Sequence, residues 1–117
     1  MPAAKDFDAA STYLALLLPN RQVNDVINRL RKAATTYYKP KDVERASGLK
    51  LLPPDDPEVA KKPQKSRNQK PLTPALLVRG SLESDRPLII ADGYHRICAG
   101  YHADRDAAVP CRLVDLD

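Results

Sequence analysis

The chain has 117 residues, of which 43% are hydrophobic and 29% charged, and its formal net charge is +4 at pH 7. This length fits one domain with a modest core. The sequence contains no apolar run long enough to span a bilayer, and it does not open with a basic region followed by an apolar one. We therefore expect a cytoplasmic protein with no membrane partner.

Two helices are predicted in the first 36 residues. The first covers residues 8–18 and ends before Pro19, with a common apolar face formed by Ala9, Tyr13, Leu16 and Leu17. The second follows Asn20 as its cap, and its apolar residues are spaced for one helix face: Val23, Val26, Ile27 and Leu30. We expect a helical hairpin, residues 1–36, attached to a domain of residues 37–117. The hairpin could pack on its own sheet or on a neighbouring subunit of a homodimer.

Short elements are predicted in the middle of the chain. Residues 35–38 have strand propensity, and residues 42–47 could form a helical turn closed by Gly48. The acidic stretch at residues 55–58, with Pro57 near the first helical position, is typical of a helix start.

Residues 60–70 are basic, with no acidic residue among them. The cations are Lys61, Lys62, Lys65, Arg67 and Lys70. The segment is interpreted either as a solvated surface loop or as a flap that faces a phosphate or contacts nucleic acid. It lacks the aromatic residues that single-strand binders place between their cations, which weakens the nucleic-acid interpretation.

Strands are predicted at residues 74–78, 88–90 and 109–114, with a helix after the second of them. Pro110 suggests that the last strand lies at an edge or begins irregularly. The alternation of strands and helices predicts an α+β domain with a small mixed sheet and packed helices.

The junction between the second of these strands and its helix carries the most unusual residues. Asp92-Gly93 is a turn signal, and Asp92 is a candidate helix cap. His95 and Arg96 bring cations to the helix start, where the helix dipole favours anions. An anion held by the first-turn amides, with His95 and Arg96 as further donors, would compensate for the unfavourable placement of cations at this positive end of the helix. The alternative is an Arg96 ion pair with a carboxylate and a solvent-facing His95.

The pattern I-I-A-D-G-Y-H-R, followed by a short helix and V-P-C-R-L-V, resembles the ParB/sulfiredoxin-like superfamily. The resemblance covers residues 37–114 and is clearest after Pro87. It implies a phosphate or nucleotide site, as in sulfiredoxin, a free-serine kinase and the CTP-binding partition proteins. By position, Gly93, His95 and Arg96 match the phosphate-contacting residues of that superfamily. We call residues 92–96, D-G-Y-H-R, the box.

The box departs from two branches of that superfamily. Sulfiredoxin has a cysteine nucleophile immediately before its His-Arg pair, and this chain has Tyr94 there. We therefore expect no ATP-dependent reduction of a sulfinic acid. The partition proteins have an acidic residue and a second arginine in place of Tyr94 and His95. The D-G-x-H-R form is most similar to the kinase-like branch, although that branch's catalytic carboxylate is not identified in this sequence.

These observations lead to two hypotheses from different functional classes. The first is a small nucleotide- or phosphate-binding domain that could act as a phosphotransferase. In it, Asp92 and His95 would be the catalytic residues, and ATP, ADP or CTP with Mg²⁺ would be contacted by Gly93, Tyr94, His95 and Arg96. The second is a non-catalytic adaptor that contacts DNA or a protein partner.

A metal site and a cysteine nucleophile are the less favoured chemistries. His95, Cys98 and His102 share a predicted helix face and are ligand types that zinc accepts. The same face is explained equally well by a buried thiol flanked by surface histidines, so no metal site is predicted. Cys98 and Cys111 are expected to be buried thiols.

Overall fold

The computed structural model of the chain describes residues 2–61, 73–80 and 87–116. These residues form five helices and four strands. In chain order they are α1 (Ala4–Leu14), α2 (Asn20–Lys32), β1 (Thr36–Tyr38), α3 (Pro40–Ser47), α4 (Pro57–Ala60), β2 (Ala75–Arg79), β3 (Leu88–Asp92), α5 (Tyr94–Asp104) and β4 (Val109–Asp115).

The four strands form one mixed sheet in the order β1-β4-β2-β3. β1 is antiparallel to β4, β4 is parallel to β2, and β2 is antiparallel to β3. In the register of the two central strands, Leu77 is opposite Leu113. The predicted class, mixed α+β with a small mixed sheet, is confirmed.

One face of the sheet is covered by α1 and α2. Its core combines apolar residues of both helices with side chains of β2 and β3, because alternate strand residues point to the same face. The buried members are Phe7, Ala10, Leu14, Val23, Val26, Ile27, Leu30, Leu76, Val78, Ile89 and Ala91. The helical hairpin thus packs on the sheet of its own chain.

The opposite face is covered by α3 and α5. Its core contains Val43 of α3 and Ile97 of α5 together with Ala75, Leu77, Ile90 and Cys111 of the sheet. On the outer side of α5, Val59 of the one-turn helix α4 packs against Cys98 and Ala99. The box therefore lies at the point where β3 leads into α5, next to the two cores on this side of the sheet.

A buried cation joins the central strand β4 to the end of α2. The Nη1 of Arg112 donates to the carbonyl oxygens of Leu30 at 3.2 Å and Arg31 at 2.9 Å. The last carbonyls of a helix need hydrogen-bond donors from outside the helix and favour positive charge. Arg112, only 8% exposed, stabilises this helix end against the sheet.

The structure corrects the predicted boundaries and apolar face of the first helix. α1 begins at Ala4, where the Asp6 carboxylate accepts a hydrogen bond from the Ala3 N–H at 2.9 Å. It ends at Leu14, so residues 15–18 form a turn instead of another helical turn. The buried face is Phe7, Ala10 and Leu14, whereas Ala9, Leu16 and Leu17 are exposed and Tyr13 is half-buried.

Three other local predictions have clear outcomes. The apolar face of α2 is confirmed, although its N-cap is Pro19 and not Asn20. Gly48 closes α3 in the left-handed conformation, with φ 69°. Asp56 caps α4 by accepting hydrogen bonds from the N–H groups of Glu58 and Val59.

The last strand, β4, is central rather than an edge strand, so that part of the prediction is wrong. Pro110 is opposite Tyr37 of β1, whereas the ladder to β2 begins one residue later, at Cys111. The proline therefore lies at the start of the strand, where it has a strand neighbour on one side. That position accommodates the missing N–H.

Among the helices of the described residues, none has the length and apolar character that crossing a membrane requires.

Candidate functional site

The junction between β3 and α5 is built around Gly93. β3 ends at Asp92, Gly93 has φ 99° and is the N-cap, and α5 begins at Tyr94. Glycine adopts this left-handed conformation without the steric cost of a side chain. A Cβ at this position would also lie 3.0 Å from the Cβ of Ala75 in β2. Gly93 is therefore required both by its backbone conformation and by close packing on the neighbouring strand.

The structure corrects the predicted role of Asp92 as the helix cap. The cap is Gly93, which has no side chain to offer, and no side-chain hydrogen bond caps this helix start. The Asp92 carboxylate instead accepts a hydrogen bond from Arg96 Nη2, with 2.8 Å between nitrogen and oxygen. The first-turn amides of α5 are thus left without the oxygen that a capping side chain supplies.

Arg96 holds three parts of the chain together at the junction. Besides its ion pair with Asp92, its Nη1 donates to the carbonyl oxygens of Thr73 at 2.6 Å and Pro74 at 3.1 Å. The Arg96 and Asp92 side chains are only 18% and 17% exposed. This is the ion-pair alternative that the sequence left open for Arg96, and in this arrangement the guanidinium ties α5 to the end of β3 and to the chain entering β2.

Tyr94 is tied to the irregular segment between α3 and α4. Its hydroxyl donates to the carbonyl oxygen of Lys50, and its ring packs against the two cores beside α5. Burial, followed by interactions with Cys98, raises the pKa of Tyr94 to about 12. These contacts explain Tyr94 as a packing residue that keeps its proton.

His95 is half-buried beside Tyr94. The two ring centroids are 5.6 Å apart and the ring planes are inclined by 54°. His95 and Arg96 are the second and third residues of α5, so both belong to its first turn. The structure therefore brings Asp92, His95 and Arg96 to one helix start.

Of the α5 residues whose types zinc accepts, Cys98 is used for packing and His102 contacts the segment before α4. His102 Nε2 lies 2.7 Å from the carbonyl oxygen of Leu52. Cys98 is fully buried, and burial raises the pKa of its thiol. Within residues 2–61, 73–80 and 87–116, no group of three or more His, Cys, Asp or Glu side chains has an arrangement that could hold a metal ion.

The basic segment falls mostly beyond the part of the chain that the structure describes. Lys61 follows the last residue of α4, and its Nζ lies 3.5 Å from Glu58 Oε1. Lys62, Lys65 and Arg67, the other residues of the predicted flap, lie outside the described residues.

The sequence did not indicate which backbone oxygens complete the junction. Thr73 and Pro74 accept from Arg96, and Lys50 accepts from Tyr94. Every residue carries a carbonyl group, so a backbone acceptor has no signature in the sequence. The one available signal was an arginine four residues after an aspartate, a spacing at which ion pairs form within helices. Here Asp92 belongs to β3 and Arg96 to α5, so the pair spans the junction instead.

Comparisons of this chain with protein-family models, with curated proteins and with solved structures found no match.

Proposed function

We propose that the β3–α5 junction binds a phosphate group, carried by a nucleotide such as ATP, ADP or CTP. The observation that carries the proposal is the start of α5, which follows Gly93: its amides lack a side-chain cap, and His95 and Arg96 are the second and third residues of the helix. Helix N-termini of this kind favour anions through their N–H groups and their dipole. The resemblance of the box to the ParB/sulfiredoxin-like superfamily supports the same assignment.

In this proposal each residue of the box has a distinct role. The amides that follow Gly93 donate to phosphate oxygens, and Arg96 supplies a planar pair of donors. His95 adds a donor at the edge of the site. If the domain transfers a phosphoryl group, Asp92 and His95 would bind Mg²⁺ or accept a proton. Tyr94 would hold the helix start through its hydrogen bond to the Lys50 carbonyl oxygen.

The test is calorimetric titration of the wild-type protein with inorganic phosphate and a panel of nucleotides, with and without Mg²⁺. Losing a charge-assisted hydrogen bond typically costs about 1.5–3 kcal/mol, so His95→Ala should weaken binding roughly tenfold or more. His102→Ala is the matched control, because it removes the other histidine of α5 at a site remote from the helix start. Wild-type protein that binds none of these ligands at millimolar concentration would contradict the proposal.

A binding module without turnover is the second candidate, and the Arg96–Asp92 ion pair favours it. The Asp92 carboxylate, directly before the helix cap, is engaged by Arg96 and is largely buried. Incubation with ATP and Mg²⁺ followed by analysis for ADP distinguishes the candidates: nucleotide binding without product formation supports the binding module.

A further inference from the structure

The Arg96 guanidinium is shared between two kinds of acceptor. Nη1 is held by two neutral backbone oxygens, those of Thr73 at 2.6 Å and Pro74 at 3.1 Å. Nη2 is held by the negatively charged Asp92 carboxylate at 2.8 Å. A phosphate that takes two parallel donors from an arginine must replace one of these partners on the guanidinium edge that it uses, or share a nitrogen with it.

We propose that Asp92 is an autoinhibitory contact: its carboxylate occupies the anion-binding side of Arg96 and is displaced when a phosphate binds. This inference rests on the proposed phosphate site. Asp92 comes directly before the helix cap, so its charge lies beside the same helix start that would hold the phosphate.

The two partners of Arg96 respond differently to an incoming anion. The Asp92 carboxylate repels the phosphate, and a phosphate can replace it as the charged acceptor. The Thr73 and Pro74 carbonyls carry no net charge, and they hold the guanidinium in a fixed position through Nη1. The exchange therefore removes Asp92 while the carbonyls keep Arg96 pointed at the site, which limits the entropy lost on binding.

The substitution Asp92→Asn tests this inference because it should raise the affinity for phosphate, whereas most substitutions at a binding site lower it. Asparagine keeps an oxygen that accepts from Arg96 but removes the competing charge. A unit charge about 4 Å away contributes about 1 kcal/mol even at the dielectric constant of bulk water. Calorimetry should therefore show affinity for inorganic phosphate and for ATP without Mg²⁺ that is higher than wild type by about fivefold or more.

Asp25→Asn is the matched control. Asp25 pairs with Arg29 in the same i, i+4 arrangement, at 3.0 Å, but on α2. The control changes the net charge by the same amount, so an equal gain in affinity would show that only the overall charge matters and would overturn the inference.

The outcomes separate this inference from the proposed function. Binding by wild type that is unchanged or weaker in Asp92→Asn overturns the autoinhibitory contact and leaves the phosphate site standing. Binding by neither protein overturns both. If Asp92→Asn does not fold, Asp92→Ser is the second variant, and carbon NMR of the wild type gives an independent measurement. The Asp92 carboxyl resonance should move as phosphate saturates the site, and a resonance that stays fixed at saturation contradicts displacement.

Discussion

Gly93 and Arg96 each make contacts that stabilise the fold, whether or not a ligand binds beside them. Gly93 fits against Ala75 where a Cβ would be 3.0 Å away, and Arg96 joins β3, α5 and the start of β2. Substituting either residue removes structural contacts as well as ligand donors. Loss of binding in such variants would not distinguish a lost ligand donor from a disturbed fold. The substitutions His95→Ala and Asp92→Asn, each compared with its control, are therefore the better tests of the site.

The buried thiols make the stability of the protein sensitive to alkaline pH. Burial raises the pKa of Cys111 from 9.0 to about 12. The unfolded chain loses this proton near pH 9 while the folded chain retains it, so the contribution of Cys111 to stability is complete below pH 9 and is lost as the pH rises towards 12. Urea unfolding under reducing conditions, at about pH 7 and about pH 10.5, should show a clear loss of stability.

Cys111→Val isolates the contribution of this thiol. The variant should lose less stability than wild type between the two pH values, whatever its stability at neutral pH. A residual decline is expected, because burial also raises the pKa of the Cys98 thiol, and the pKa of Tyr94 is raised from 10.0 to about 12. An identical pH dependence in wild type and variant would show that the Cys111 thiol does not titrate with unfolding.

At the scale of elements, local chemistry predicted some helix ends correctly, although the predicted caps Asn20 and Asp92 were wrong. Gly48 and Asp56 end and begin their helices as their residue types indicate. α1 was misplaced because several leucines near its end could join an apolar face in either of two registers. Which residues of α1 are buried depends on how the helix packs on β3, and this packing is a property of the tertiary structure and not of the helix sequence.

The Asp56 cap gives a prediction for α4. This four-residue helix places Val59, which is fully buried, against Cys98 and Ala99 on the outer side of α5. Asp56→Ala removes the oxygen that accepts from the Glu58 and Val59 N–H groups, and loss of an N-cap typically costs about 1 kcal/mol. Chemical unfolding should show that loss.

Asp55→Ala is the control for the cap, since it removes an adjacent, exposed carboxylate and the same charge. Its free energy of unfolding should stay within about 0.5 kcal/mol of wild type. Equal effects of the two substitutions would show that charge, and not the cap, stabilises α4.

At the scale of the whole molecule, the candidate site combines segments that are far apart in the chain. Lys50, Thr73 and Pro74 come from connections before β2, whereas Asp92 to Arg96 lie at the β3–α5 junction. The sequence predicted the box because its residues are contiguous. It could not predict the surrounding acceptors, which depend on how the sheet brings β2 alongside β3.

The helical hairpin contributes directly to the main core, because α1 and α2 cover the sheet face formed by β2 and β3. The apolar faces that could have served a homodimer are largely occupied by the chain's own sheet. A shortened chain of residues 37–117 would expose Leu76, Val78 and Ile89 to water, and burial of such side chains contributes about 1.5–3 kcal/mol each.

Paired leucine substitutions measure this contribution in the full chain and test the register of α1. Leu14 is fully buried between α1, α2 and the sheet, whereas Leu16 is 82% exposed. Leu14→Ala leaves a cavity in the core and should destabilise the protein by about 2–5 kcal/mol, while Leu16→Ala should change stability by less than about 0.5 kcal/mol. Both values come from urea unfolding of the two variants and the wild type. The helix face predicted from the sequence placed Leu16 inside, so the opposite ranking would restore that face and contradict the packing of α1 on β3.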